Sequence, residues 1–194
     1  GADVTLEAVG INPTRTGIIE ILKQMGADIT VQNERIAGGE PIADIRIQGT
    51  RTLKGIHIPE DQVPLAIDEF PALFIAAACA EGKTVLTGAA ELRVKESDRI
   101  QVMADGLQIM GIDCTPTEDG IIIEGKGKAG EWGAIFNGGE IESHHDHRIA
   151  MSFSMAGLRT SGEIKIVGTE TVATSFPTFT QLANTAGLAI QVTE

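Results

Sequence analysis

Hydrophobic positions recur at helical spacing in three separate segments of the chain, and each segment ends in the same way. In each, apolar side chains three or four residues apart share one face, which is the pattern of an amphipathic helix packed on a core. A glycine that can adopt a positive φ follows directly, and a short strand-like run comes next. The apolar positions and closing glycines are Ile18, Ile19, Leu22, Met25 and Gly26, then Ile100, Met103, Leu107, Met110 and Gly111, then Phe176, Phe179, Leu182, Ala186 and Gly187.

Two further helical segments lie at residues 70–80 and 149–158 and are rich in alanine and other small or apolar residues. Each leads to an alternating run that closes on a glycine, and these two glycines are separated by about 80 residues, close to the interval of the other repeats. Helices interleaved with strands and duplicated in this way predict an α/β domain built from copies of one unit. Strands are also predicted at residues 4–9, 42–48, 53–58 and 121–124.

Charged and polar residues gather where these predicted helices begin, at residues 12–16, 68–69, 93–99 and 144–148. If the copies are arranged around a common axis, all the helix starts open toward the same side. Helix N-termini carry unpaired N–H groups and the positive end of the helix dipole, so that side should attract anions.

Two aspartates and three cations stand out within these clusters. Asp68 and Asp146 are separated by nearly one repeat interval, so we expect them to occupy equivalent places in two copies. Lys95, Arg99 and Arg148 would add positive charge at the same side. The pattern therefore predicts a small cationic pocket, although a row of solvated charges and helix caps would look similar in sequence.

The composition limits the classes of function. The chain has 194 residues, 42% of them hydrophobic, and 27 acidic against 15 basic residues give a net charge of −12. Such an acidic balance argues against broad binding to nucleic acid or to anionic membranes, but it leaves room for a small cationic pocket. Cys79 and Cys114 are too few for a disulfide scaffold and fit a reducing cytoplasm. The chain has no evident targeting or membrane-spanning segment, and it begins at Gly1 and leads almost at once into a strand, so we expect a piece of a longer protein.

A run of histidines at His144, His145 and His147 invites a metal interpretation, and with it a metal-dependent hydrolase. Adjacent residues on a helix point in different directions, however, and neither cysteine has ligand spacing. We therefore predict no bound metal. His147 fits better as an anion ligand, a proton carrier or a helix-capping residue.

Two motifs give the sequence a specific resemblance. Residues 92–99 (LRVKESDR) followed by residues 146–151 (DHRIAM) resemble the 5-enolpyruvylshikimate-3-phosphate synthase family, and residues 12–17 (NPTRTG) and 175–177 (SFP) fit the same family. The resemblance covers essentially the whole chain but only the C-terminal half of such an enzyme. It implies the inverse α/β barrel fold of enolpyruvyl transferases, in which each of two domains contains three βαβαββ units. Residues 1–194 would be the C-terminal domain, with the N-terminal domain absent.

The resemblance also implies a reaction. Enzymes of this family move the enolpyruvyl group of phosphoenolpyruvate to the 5-hydroxyl of shikimate 3-phosphate and release phosphate, in aromatic amino-acid biosynthesis, without a metal or organic cofactor. The expected partners are these two substrates and the missing N-terminal domain, with no nucleic acid and no membrane. Addition needs a base near the attacking hydroxyl and an acid for the methylene carbon, and elimination reverses both transfers. By resemblance Asp68 is the base, and Glu96 is the candidate acid.

The remaining site residues are likewise assigned by resemblance. Lys95 would contact shikimate 3-phosphate, as Asp68 also would, while Arg99 and Arg148 would hold phosphoenolpyruvate through planar guanidinium groups that suit a carboxylate. His147 would support the contact made by Arg148.

The chain departs from the family pattern at two positions. Thr174 stands where many members have a lysine, a feature of the glyphosate-tolerant subgroup, and Glu91 stands where many have an asparagine. Two alternatives to this interpretation share parts of the pattern. One is the related enolpyruvyl transferase that acts on UDP-N-acetylglucosamine, and the other is a non-catalytic repeat module that binds small anions.

Overall fold

Helices and strands alternate along the chain, as the periodicity predicts. The structure is a computed structural model, and it describes residues 2–49 and 52–193. The strands are β1 (Asp3–Gly10), β2 (Asp28–Ala37), β3 (Glu40–Gln48), β4 (Glu81–Leu86), β5 (Cys114–Pro116), β6 (Ile121–Lys126), β7 (Gly139–Glu142) and β8 (Ile164–Val167). The helices are α1 (Gly17–Gln24), α2 (Phe70–Ala78), α3 (Arg99–Ile109), α4 (His147–Ala156), α5 (Glu170–Ser175) and α6 (Phe179–Thr185).

The strands form small separate sheets, one for each repeated unit. β1, β3 and β2 make an antiparallel sheet with β3 in the centre, and β4, β6 and β5 make a second with β6 in the centre. β7 and β8 pair in parallel. This arrangement confirms the α/β class and the repeated unit predicted from the sequence.

The strand predicted at residues 53–58 is only partly formed. This segment runs parallel to β4, where the Ile58 N–H donates to the Val85 carbonyl at 2.9 Å and the Val85 N–H donates to the Ile56 carbonyl at 2.9 Å. It is joined to β4 by isolated bridges, at Lys54 and His57, and not by a continuous ladder. The apolar alternation therefore marked a segment that lies beside a sheet, but not a regular strand.

The closing glycines behave as the sequence predicts. Gly26, Gly111 and Gly187 have φ of 96°, 82° and 107°, a region that other residues adopt only with strain. The third predicted helix begins later than expected, at Phe179, because Pro177 between α5 and α6 has no N–H for a helix hydrogen bond and interrupts the helix. The segment after Gly187 is not a strand within the described residues. Its Ile190 is instead bonded at N–H and carbonyl, at 2.7 and 3.0 Å, to the Asn184 amide.

The core lies around α2, α3 and α4, and it sets the direction in which these helices begin. α2 packs along α4, and the Phe70, Phe74 and Phe153 side chains are fully buried between the layers. α3 approaches α4 so closely that a Cβ on Gly106 would lie 2.3 Å from the Phe153 ring. This packing holds the starts of the three helices on one side of the domain.

A groove of about 840 Å³ opens between α4, β8, α5, α6 and the last described segment. Its lining includes apolar side chains of the third unit, among them Ile164, Phe176, Leu188 and Val192.

No helix of the described chain is both long enough and apolar enough to cross a bilayer.

Candidate active site

The starts of α2, α3 and α4 converge on one carboxylate. Asp68 lies two residues before α2, Arg99 is the first residue of α3 and Arg148 is the second residue of α4. Arg99 Nη1 lies 3.4 Å from Asp68 Oδ1, and Arg148 Nη1 donates to the Asp68 carbonyl at 2.9 Å. Residues at the starts of three helices therefore lie together, as the sequence analysis expected for repeated units arranged around a common axis.

Two further cations complete the surroundings of Asp68. Arg15, in the short 3-10 turn before α1, places Nη2 3.0 Å from Asp68 Oδ2, and Lys95 Nζ lies 3.6 Å from Oδ1. Burial raises the pKa of Asp68, but the positive charges of Arg148, Lys95, Arg15 and Arg99 together outweigh it, so the pKa lies below its usual value. Asp68 is therefore ionised at neutral pH and able to accept a proton.

Arg99 is held on the inner side of this cluster. Its side chain is 0% exposed, as is that of Asp146, and Arg99 Nε donates to Asp146 Oδ2 at 2.9 Å. Arg99 Nη2 also lies 2.5 Å from Glu96 Oε2. A buried ion pair is stable only if its remaining hydrogen-bonding groups also have partners. The Asp146 carboxylate accepts further hydrogen bonds from Ser97 Oγ and from the Arg148 N–H, both at 3.0 Å.

Asp68 and Asp146 do not occupy equivalent places, contrary to the expectation from the repeat. Asp146 is the N-cap of α4, whereas the N-cap position of α2 belongs to Glu69. Burial raises the pKa of Asp146, and the hydrogen bond and charge of Arg99 more than offset this, so its pKa is lowered overall. Asp146 is thus a fully enclosed structural carboxylate, while the Asp68 side chain remains 20% exposed at the centre of the cations.

The expected cationic pocket is balanced internally by carboxylates. Glu69 Oε1 lies 3.4 Å from Arg15 Nη2 and 3.5 Å from Arg148 Nη1, Lys95 contacts Glu91, and Arg99 contacts Glu96 and Asp146. Acidic side chains are favoured near helix N-termini for the same electrostatic reason that anions are. An incoming anion must therefore compete with groups of the protein itself.

Three members of the cluster were given no role in catalysis or substrate binding by the sequence analysis: Arg15, Glu69 and Asp146. Arg15 belongs to the polar run before α1, and Asp146 belongs to the DHR motif, so the signal that could have found them was their place at a helix start. Their partners lie on other elements, which only the fold brings near.

The histidine run forms the turn that leads into α4. His144 and His145 have positive φ of 52° and 60°, a strained conformation for residues other than glycine, and His145 Nδ1 pairs with Glu170 on α5. His147 is the first residue of α4 and is half-buried. Within residues 2–49 and 52–193, no three His, Cys, Asp or Glu side chains are grouped as metal ligands would be.

The repeated α/β architecture of this domain is that of the enolpyruvyl transferase fold. The enolpyruvyl transferase NikO from Streptomyces tendae has this fold, with a TM-score of 0.72 over 98% of this chain and 40% of that one, at 16% identity. The model of the family EPSP synthase (3-phosphoshikimate 1-carboxyvinyltransferase) matches residues 1–182, and the chain belongs to that family.

Individual relatives agree with the family match. The chain is 64% identical to the 3-phosphoshikimate 1-carboxyvinyltransferase of Nitrosococcus oceani over 191 residues, which is 98% of this chain and 41% of that protein. The structure of an EPSP synthase from Acinetobacter baumannii superimposes with a TM-score of 0.98 at 88% identity, and covers 100% of this chain and 44% of that one. The chain thus spans less than half the length of these relatives.

Proposed function

We propose that residues 1–194 are the C-terminal domain of a two-domain enzyme that transfers the enolpyruvyl group of phosphoenolpyruvate to the 5-hydroxyl of shikimate 3-phosphate. Phosphate is the second product. The observation that carries this proposal is the set of four cations, Arg15, Lys95, Arg99 and Arg148, within 4.0 Å of the Asp68 carboxylate. Two anionic substrates need such cations, and the transfer needs a base among them.

Asp68 is the proposed base. Its carboxylate is ionised, and it lies at the centre of the cations that would hold both substrates. It would accept the proton of the shikimate hydroxyl as the oxygen forms a bond to C2 of phosphoenolpyruvate. The same cations that keep Asp68 ionised make it a weak base, so it depends on close placement of the hydroxyl for its effect.

Glu96 is the proposed acid for the methylene carbon. Its side chain is 52% exposed and touches Arg99 at the open rim of the cluster. A carboxyl group at the rim can take a proton from solvent, deliver it to C3 of phosphoenolpyruvate during addition, and recover a proton from the resulting methyl group when phosphate leaves. Glu96 thus ends the cycle with the proton it began with, and the proton that Asp68 accepted from the hydroxyl passes to the departing phosphate, which restores both carboxyl groups.

The proposed substrate contacts differ in how exposed the cations are. The Arg148 side chain is 31% exposed and the Lys95 side chain 21% exposed, so both can reach a ligand from the open side. Arg99 is fully buried and pairs with Glu96, so Glu96 would have to move aside for Arg99 to contact phosphoenolpyruvate. We assign Lys95 to shikimate 3-phosphate, Arg99 and Arg148 to phosphoenolpyruvate, and His147 to support of Arg148.

The test is an assay of the complete protein that contains this chain. Release of phosphate from phosphoenolpyruvate should depend on shikimate 3-phosphate and should yield the enolpyruvyl ether. Turnover with UDP-N-acetylglucosamine in its place would point to the related transferase, and binding of both anions without turnover would point to a non-catalytic module. Either outcome would overturn the proposal.

We also propose that the enzyme is located in the cytoplasm. Cys79 and Cys114 are free thiols, and burial raises the pKa of Cys79 to about 11, so it stays protonated at neutral pH. Unpaired cysteines suit the reducing cytoplasm, where we place the protein.

The alternative of a metal-dependent hydrolase makes a different prediction. Such an enzyme would contain stoichiometric zinc or manganese after purification, which elemental analysis would reveal.

A further inference from the structure

Glu91 occupies a distinctive place beside the proposed substrate site. It lies in the 3-10 turn Ala90–Val94, and its carboxylate contacts the ammonium group of Lys95, four residues later. The Lys95 side chain is 21% exposed and lies between two carboxylates, the more exposed Glu91 (62%) and the less exposed Asp68 (20%). The pKa of Lys95 is raised above its ordinary value, chiefly by the hydrogen bond with Glu91.

The turn that carries Glu91 is fixed to the rest of the domain. Leu92 is fully buried, and Arg93 Nε donates to the Glu118 carbonyl at 2.7 Å while Arg93 Nη1 pairs with Asp98 at 2.6 Å. The backbone at Glu91 is therefore held in place, and only its exposed side chain is free to swing into solvent.

We propose that Glu91 is an internal counter-ion that competes with the bound anion for Lys95 and so weakens binding of shikimate 3-phosphate. The inference rests on the proposed function, since it takes shikimate 3-phosphate as the ligand at Lys95. An anion that approaches Lys95 must displace Glu91 or bind beside its negative charge. Glu91 acts through Lys95, which makes it a positioning residue.

The expected size of the effect follows from exposure. An ion pair that solvent reaches contributes little, so replacing Glu91 by the uncharged, similarly shaped glutamine should strengthen binding by about two- to fivefold and not by orders of magnitude. The gain should shrink as salt is added, because salt screens exposed charges. A residue with only a structural role would not produce a gain in affinity when it is replaced.

The experiment compares the complete protein with its Glu91→Gln variant by calorimetric titration of shikimate 3-phosphate at low ionic strength. We expect a lower Kd and a lower KM for this substrate, with kcat changed by less than about twofold. Glu124→Gln is the matched control, because it removes one negative charge from an exposed pair on the second sheet, where Glu124 lies 3.0 Å from Lys83. Its Kd should equal that of the unmodified protein.

A double variant tests whether Glu91 affects binding through Lys95. In a Lys95→Gln background, Glu91→Gln should no longer improve binding, because the interaction that it removes is already gone. An unchanged or higher Kd in the single variant would overturn the proposal, and a higher Kd would show that Glu91 is itself a ligand contact.

Inorganic phosphate is the second probe, and it distinguishes this inference from the proposed function. Tighter phosphate binding by Glu91→Gln in a protein that neither binds nor turns over shikimate 3-phosphate would support the counter-ion role and overturn the proposed function. Unchanged phosphate binding together with unchanged shikimate 3-phosphate binding would overturn the counter-ion role alone.

Discussion

Asp68 and Asp146 show how one residue type takes two different parts in the same cluster. Asp146 is enclosed, caps α4 and satisfies the buried Arg99 guanidinium. Asp68 contacts the same arginine, but its side chain remains 20% exposed. This difference in exposure supports the proposal that Asp68 takes part in the chemistry while Asp146 supports the structure.

The proposed base can be tested by removing its charge alone. Asp68→Asn in the complete protein should lower turnover on the order of 10²–10⁴-fold, because a positioned base is lost while the side-chain size is kept. Steady-state phosphate release measures this, with Asp113→Asn, an exposed residue after α3, as the control. Near-normal turnover in the Asp68 variant would remove this residue from the base role.

The enclosed aspartate should instead govern stability. Asp146→Asn keeps a good helix cap but leaves Arg99 without its buried partner, so the free energy of unfolding should fall by about 3 kcal/mol. Chemical denaturation measures this change. The control is Asp98→Asn at the N-cap of α3, where the more exposed carboxylate should matter by less than about 1 kcal/mol.

The same substitution should change the response of stability to acid. The pKa of Asp146 is lower in the folded protein than its unfolded value of about 3.9, so its ionised form stabilises the fold at neutral pH, and this contribution disappears as the pH falls below about 4. Asp146→Asn should therefore flatten the loss of stability in that range. An unaltered acid profile would show that Asp146 does not carry the effect.

At the scale of elements, the close contact of α3 with α4 positions Arg99 relative to Arg148. Gly106→Ala would place a methyl group against the fully buried Phe153 ring, with no flexible side chain to yield, and we expect a loss of about 1–3 kcal/mol. Thermal unfolding should show it. Gly157→Ala is the matched control, since the added carbon would meet no other part of the described chain within 4 Å beyond its own helix and immediate neighbours, and it should be close to neutral. Equal unfolding temperatures for the two variants would contradict the tight packing.

At the scale of the whole molecule, the chain supplies only part of the catalytic machinery that we propose. A core around α2, α3 and α4 should let residues 1–194 fold alone with one cooperative transition. Catalysis should be absent, because enolpyruvyl transfer needs both substrates held in register and shielded from water. Arg148 and Lys95 would then face solvent, where salt weakens their anion contacts.

The measurements for this prediction are thermal unfolding of the chain alone and a phosphate-release assay beside an NMR titration with both substrates. Weak, salt-sensitive shifts at Arg148 and Lys95 without turnover are the expected result. Addition of the separately produced remainder of the protein should restore some activity. Robust turnover by the 194 residues alone would contradict the two-domain proposal.

Local pattern determined much of this protein. The spacing of apolar residues predicted α1 and α3, the glycines that close them, and the strands β1, β3 and β6, because amphipathic periodicity and positive φ are properties of short segments. The motifs at residues 92–99 and 146–151 predicted the family, which the comparisons confirm.

Contacts between residues distant in sequence come from the fold and not from local pattern. The fold placed Arg15 and Glu69 in the cluster and paired Arg99 with Asp146. The charge of the site is the clearest case, because a list of cations predicts a positive pocket while the folded chain brings a carboxylate to each of them. The sum of charges in a site depends on distances between elements, and those distances come from core packing that no short segment of sequence contains.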